Sequence, residues 1–122
     1  MALSPEFSDY IKDLFAEFAD VRVRRMFGGA GIFHNDVMLG LVADDTIFLR
    51  TDPESAETFA AEGCRRFTYR AKTKTVDLPY WTLPERLIDD PHELAAWARR
   101  AYAIAAAAKA KAGRKTKRAP AR

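Results

Sequence analysis

Arg24-Arg25-Met26-Phe27-Gly28-Gly29-Ala30-Gly31-Ile32-Phe33 is the stretch on which the fold turns. Gly28, Gly29 and Gly31 fall within four positions, with Met-Phe on one side and Ile-Phe on the other. Glycine loses more backbone entropy on folding than any other residue, so such a cluster inside an apolar run needs a geometric cause. Two causes fit: a strand that bends sharply, or a backbone that another element approaches closely. We read the segment as a kink in one strand, around which a small sheet folds. A phosphate cradle is the competing reading, but neither the Gly-Lys-Ser/Thr ending of a P-loop nor the third glycine of a dinucleotide fingerprint follows.

Outward from the glycines the period of two continues. Val21 and Val23 alternate with Arg22 and Arg24 before them, and Ile32-Phe33-His34 resumes the strand after them. Asn35-Asp36 and Asp44-Asp45 are turn signals on either side of Val37–Ala43, an almost wholly apolar run that suits a central strand covered on both faces. Thr46–Thr51 is the next strand. Upstream, Ser4-Pro5-Glu6 opens a helix in which Phe7, Tyr10, Ile11, Leu14, Phe15 and Phe18 recur on one face.

Downstream, Asp52-Pro53-Glu54 begins a second helix that ends at Gly63. Arg66, Thr68, Arg70, Lys72 and Lys74 then alternate with Phe67, Tyr69 and Ala71 in a strand, and Val76–Tyr80 makes the last one. Pro84 opens a brief helical turn ending at Asp89. Asp90-Pro91-His92-Glu93 starts the final helix with a capping box, and Leu94, Trp97, Ala98, Ala101 and Ala105 form its apolar stripe. Trp97 reads as the anchor of that stripe, so Trp97→Ala is expected to cost about 3–5 kcal/mol. Alanine carries the helix to about Ala112, where Gly113 stops it. The order is α-β-β-β-α-β-β-α. The fold class is α+β: a two-layer sandwich of an antiparallel five-stranded sheet with helices on one face.

With 122 residues, 48% hydrophobic and 30% charged, the chain suits one domain with a core of its own. The net charge of +3 is unevenly distributed. Residues 109–122 carry seven basic side chains and no acidic one, whereas residues 1–108 hold 13 basic against 17 acidic. We therefore divide the chain into an α+β body, 1–108, and a basic helix end with a disordered tail, 109–122. The lone Cys64 excludes an intrachain disulfide and suits a reducing compartment. No run approaches the roughly 20 apolar residues of a membrane span, and Met1–Glu6 lacks the features of a signal peptide. The expected location is cytoplasmic.

The chain resembles the N-terminal domain of TfoX/Sxy-type competence regulators, as a stand-alone version of it. Arg25-Met26-Phe27-Gly28-Gly29-Ala30-Gly31-Ile32-Phe33, Phe67-Thr68-Tyr69, Tyr80-Trp81-Thr82-Leu83-Pro84-Glu85 and Leu94-Ala95-Ala96-Trp97-Ala98 carry the resemblance, over roughly residues 7–105. It implies an α-β(3)-α-β(2)-α two-layer fold and a role in regulating transcription. Full-length relatives promote competence genes together with the cyclic-AMP receptor protein, and carry a second domain where this chain has its basic tail. The family supplies no catalytic or ligand-binding residue.

No nucleophile, base and orienting group assemble from the sequence, so no catalytic residue, cofactor or metal is expected. His34 and His92 have no ligand-spaced neighbours. Arg65 and Arg66 beside Cys64 would lower its pKa, although a buried structural thiol is the commoner outcome. Arg22, Arg24, Arg66, Arg70, Lys72 and Lys74, if their strands are neighbours, would form a cationic patch on one sheet face, and Tyr80-Trp81 would add an aromatic surface. Met26, Phe27, Gly28, Gly29, Gly31, Leu83, Pro84 and Trp97 are read as structural. Lys109, Lys111, Arg114, Lys115, Lys117, Arg118 and Arg122 would give weak, salt-dependent contact with DNA. The leading expectation is a non-enzymatic domain that binds a protein partner in transcriptional regulation; the alternative is a non-specific DNA-binding accessory protein acting through the tail. Homodimerisation would cover the edges of a small sheet.

Overall fold

A computed structural model describes residues 5–26, 29–70 and 72–118, with only the backbone described from 113 onward. The expected N-cap Ser4, together with Phe27, Gly28, Ala71 and Arg122, lies outside the described residues. The element order is α1 (Pro5–Leu14), β1 (Arg22–Met26), β2 (Gly29–His34), β3 (Val37–Ala43), β4 (Thr46–Arg50), α2 (Pro53–Ala61), β5 (Arg66–Arg70), β6 (Thr75–Thr82), a 3-10 turn (Glu85–Asp89) and α3 (Pro91–Arg118).

The fold is α+β with an antiparallel sheet, but that sheet has six strands rather than five, in the order β1-β2-β3-β4-β6-β5. The extra strand comes from the glycine segment. Met26 pairs with Gly29, and Arg22 with Phe33, so the strands flanking the segment lie antiparallel side by side instead of continuing one into the other. Of the two causes proposed for the glycines, close approach is the one the described residues show. A Cβ at Gly29 would collide with the backbone carbonyl of Val42, and one at Gly40 would lie 2.5 Å from the Phe48 carbonyl oxygen.

Both hairpin turns form as the sequence indicates. Asn35 and Asp36 (φ 50° and 63°) join β2 to β3, and Asp44 and Asp45 (φ 51° and 59°) join β3 to β4. Positive φ at both central residues is the mark of the type I′ hairpin turn, where Asn and Asp are tolerated. The register then slips once: Ile32 pairs with Gly40 and Phe33 with Met38, leaving Leu39 as a bulge. The bulge shifts the alternation, so Leu39 and Val42 both face the helices while Leu41 faces away.

The main core lies between the helices and one face of the sheet. Ile11, Leu14 and Phe15 from the first helix and its exit turn, Phe59 from α2, and Leu94, Ala98 and Ala101 from α3 meet Ile32, Leu39, Val42, Ile47 and Leu49. Burying each Leu or Ile completely stabilises the fold by roughly 2 kcal/mol. Leu94, wholly buried, anchors α3; Trp97 is half-buried at the flank, edge-on to Phe59 at 4.8 Å between ring centroids. Asp52 caps α2 reciprocally with Ser55, its carboxylate accepting from the Ser55 N–H at 2.7 Å. At α3 half of the expected box forms: Asp90 accepts from the Glu93 N–H at 3.1 Å. The Glu93 carboxylate turns instead to Arg86 at 2.9 Å and to the Trp97 indole N–H at 3.2 Å. Arg86 also grips Glu62 at 2.7 Å, tying the ends of α2 and α3 to the 3-10 turn.

Gly113 does not stop α3, which continues to Arg118. A single helical glycine costs about 1 kcal/mol relative to alanine, and the alanine-rich turn before it has propensity to spare. The expected disordered tail is therefore helical as far as the backbone is described.

Candidate functional site

Three helices occupy one face of the sheet. On the other face, alternate residues of the same strands make a second apolar cluster. Leu41, Phe48 and Tyr80 are buried there at 7%, 5% and 7% exposure, with Met38, Ala43, Phe67 and Leu78 packed around them and partly exposed. Among the described residues no helix packs on its centre, although Ala105, Ala108 and Lys109 of α3 line a recess beside Met38 and Tyr80. What buries its centre is curvature of the sheet: Phe67 in β5 reaches Phe48 in β4, edge-on at 5.0 Å, although β6 lies between their strands. The curl leaves an apolar hollow of about 500 Å³ lined by Met26, Gly29, Met38, Leu41, Phe67, Tyr69, Leu78 and Tyr80, among others. A concave, apolar lining of this size is what ligand and partner sites usually present.

The basic residues singled out from the sequence do not form one patch. β1 and β5 are the opposite edges of the sheet, so Arg22 and Arg24 are separated from Arg66 and Arg70 by the full sheet width. Arg22 and Arg24 alternate with the inward-facing Val23 and so share the uncovered face; the Arg24 guanidinium stacks over Phe33 at 5.4 Å. Arg66 and Arg70 alternate with Phe67 and Tyr69 and project from the other side of β5, where Arg66 Nε donates to the Leu78 carbonyl at 3.0 Å. Lys72 and Lys74 are exposed in the connection between β5 and β6. Cationic side chains on both edge strands discourage pairing with a further strand, which gives this charge a structural use.

Tyr80 and Trp81, adjacent in sequence, part company across the sheet. Tyr80 belongs to the uncovered cluster, where burial pushes its hydroxyl pKa up, and Trp81 packs against the main core. Leu83 and Pro84 are buried, and Met26, Gly29 and Gly31 lie in β1 and β2 beside the hollow. In the basic segment, Lys109 donates to the Asp36 carbonyl and Lys111 is exposed. The side chains of Arg114, Lys115, Lys117, Arg118 and Arg122 lie outside the described residues.

The titratable candidates stay dispersed. His34 donates through Nδ1 to the Asp20 carbonyl at 2.8 Å and sits among Phe18 and Tyr102, while His92 lies 3.5 Å from Glu17 on the exposed surface. Cys64 follows the commoner of the two expectations: burial raises the pKa of its thiol instead of the adjacent arginines lowering it. Among the described residues no three His, Cys, Asp or Glu side chains gather as a metal site, and no helix is long and apolar enough to cross a membrane.

Residues 13–105 match the family model of the TfoX N-terminal domain. The chain belongs to the TfoX N-terminal domain family. The DNA transformation protein TfoX1 of Aliivibrio fischeri is 32% identical to it over 92 residues, 75% of this chain and 42% of that protein. This TfoX N-terminal domain thus spans less than half the length of the curated relative it matches, and its family is not a known enzyme family.

Most residues that carried the resemblance hold the scaffold. Gly29 admits the β3 backbone, Leu83 is core and donates to the Ile47 carbonyl at 2.9 Å, and Leu94 anchors α3. The hollow was missed because its residues are scattered over β1, β2, β3, β5 and β6. Its signal was the apolar half of the β5 alternation, Phe67 and Tyr69, which had no covering element in sequence.

Proposed function

We propose that this TfoX N-terminal domain is a non-enzymatic, cytoplasmic regulatory module that binds a protein partner in transcriptional control, through the uncovered face of its sheet. The observation that carries the reading is the apolar hollow around Met38, Phe67 and Leu78, on the sheet face whose centre no described helix packs against. Exposed apolar surface gathered in one place, rather than scattered singly, is the usual mark of an interaction site. Arg22 and Arg24 beside it fit a partner that sets apolar side chains into the hollow and acidic ones against β1. The kinship with a DNA transformation protein supports a role in that regulatory setting.

Photo-crosslinking in the native host tests this. A photoreactive residue at Met38 is expected to capture a component of the transcription apparatus, identified by mass spectrometry, whereas one at the exposed helical position Ala96 captures none. Capture of a second copy of this chain would reassign the face to homodimerisation, and equal labelling from both positions would end the proposal.

A second reading rests on a different observation: seven basic residues without an acid in 109–122, six of them on a helix whose described backbone reaches Arg118. Such a helix would hold several phosphates of DNA without reading sequence. Replacing Arg114, Lys115, Lys117 and Arg118 together by glutamine would then abolish DNA binding and its salt dependence. Unchanged binding would refute it.

A further inference from the structure

Arg50 closes β4 on the side of the sheet away from the glycine segment and borders a recess of about 530 Å³ beneath the second half of α3. The recess exists because α3 offers mainly small side chains there; Ala107 and Ala108 line it together with Ile104. Three cations from three elements also line it: Arg50 from β4, Arg66 from β5 and Lys111 from α3. Asp52 is the carboxylate in the same lining, and one of its oxygens already accepts from the Ser55 N–H in the α2 cap.

Two buried donors lack a partner among the described residues, and both belong to this lining. They are Arg50 Nε and the Trp81 indole Nε1. Both atoms are sealed from solvent, so neither donates into the recess, and the exposed cationic groups that line it are what a ligand would meet. Among the described residues no carboxylate lies within 4.0 Å of Arg50; its guanidinium rests 5.8 Å from the centre of the Tyr80 ring. A guanidinium drawn partly out of water without a counter-charge is an arrangement that an anion would stabilise.

We propose that this recess binds a small, multiply charged phosphate compound, held by Arg50, Arg66 and Lys111. Phosphate oxygens suit the set because each accepts several hydrogen bonds and guanidinium groups match them two at a time. A small ligand is favoured over a nucleic-acid backbone because the cavity is a recess between α3 and the sheet. The proposal does not rest on the partner face, although Arg50 also reaches the Tyr80 ring that belongs to it.

The test uses the full chain and pyrophosphate, with inorganic phosphate and a short DNA duplex as separate arms, measured by titration calorimetry. Pyrophosphate is expected to bind saturably with one site per chain and to raise the melting temperature. Arg50→Gln is expected to weaken it by about 10-fold or more, the effect of losing one hydrogen bond from a charged donor. Lys111→Gln, at an exposed helical position that leaves the fold intact, would weaken it by a smaller factor, and Lys12→Gln on α1 would leave it unchanged. Absence of saturable pyrophosphate binding, equal affinity in Arg50→Gln and Lys111→Gln, or a duplex that competes for the same site and binds more tightly would each overturn the assignment. Loss of binding here with intact crosslinking at Met38 would leave the partner-face reading standing, so the two fail separately.

Discussion

The two faces of the sheet are built from the same strands with alternating residues, yet they meet different fates. On one, Ile32, Leu39, Val42 and Leu49 disappear beneath three helices. On the other, Leu41, Phe48 and Tyr80 are buried only because the sheet curls over them, and Met38, Phe67 and Leu78 remain as a partly exposed apolar rim. Stability therefore concentrates on the first face, and apolar surface available for recognition concentrates on the second.

The sharpest way to break this contrast is to truncate one residue on each face. Leu94→Ala, beneath α3, is expected to cost about 2–5 kcal/mol in chemical denaturation, as deletion of a wholly buried leucine does. Met38→Ala on the rim is expected to cost less, about 1–2 kcal/mol, since its side chain is only partly buried. Equal losses would show the second face to be as much core as the first. Trp97→Ala, given its half-buried flank position, falls at the low end of its class, about 3 kcal/mol.

Gly40→Ala probes the packing of backbone against backbone between the faces. The added methyl would sit 2.5 Å from the Phe48 carbonyl oxygen, so strands β3 and β4 must separate; a loss of about 1–3 kcal/mol follows. A neutral result would mean the strands part without strain.

A smaller effect distinguishes the helix layer in acid. Hydrogen bonds from Arg86 hold the Glu62 and Glu93 carboxyls below their ordinary value near 4.5. Each therefore binds its proton less readily in the folded chain than in the unfolded one. Their stabilisation is complete above that ordinary value and is lost as pH falls through the lower, folded values. Denaturation profiles of wild type and Arg86→Gln should then converge as pH drops below about 4. Profiles that stay parallel into strong acid would contradict the network's role. Smallest of all, Asp45→Gly relieves a left-handed backbone at the second hairpin and should stabilise by about 0.5–1 kcal/mol, read as a rise in melting temperature.

Local grammar made most of the covered layer legible. The aromatic stripe of α1, the proline-initiated helices, the Asn-Asp and Asp-Asp turns and the small-residue stripe of α3 are signals within a few residues of one another. Two things escaped because they are not local. Gly28-Gly29-Ala30-Gly31 looks alike in a bent strand and in a pair of adjacent strands; the pairing of Met26 with Gly29 is a tertiary fact. Placing β6 between β4 and β5 decides which alternate residues meet, and no spacing records that order. Hence Arg22 and Arg66 were grouped although they lie on opposite edges, while Met38, Phe67 and Leu78 were never grouped at all. Arg50 was invisible for the same reason, being one arginine at the end of an ordinary strand.

Whether one face is truly uncovered can be measured with methyl-labelled protein and a soluble paramagnetic agent that broadens the resonances it can approach. The Met26 and Met38 methyl signals should broaden strongly, while those of Leu39, Leu49 and Leu94 stay sharp. Protection of Met38 equal to that of Leu94 in the dilute, isolated chain would contradict the account.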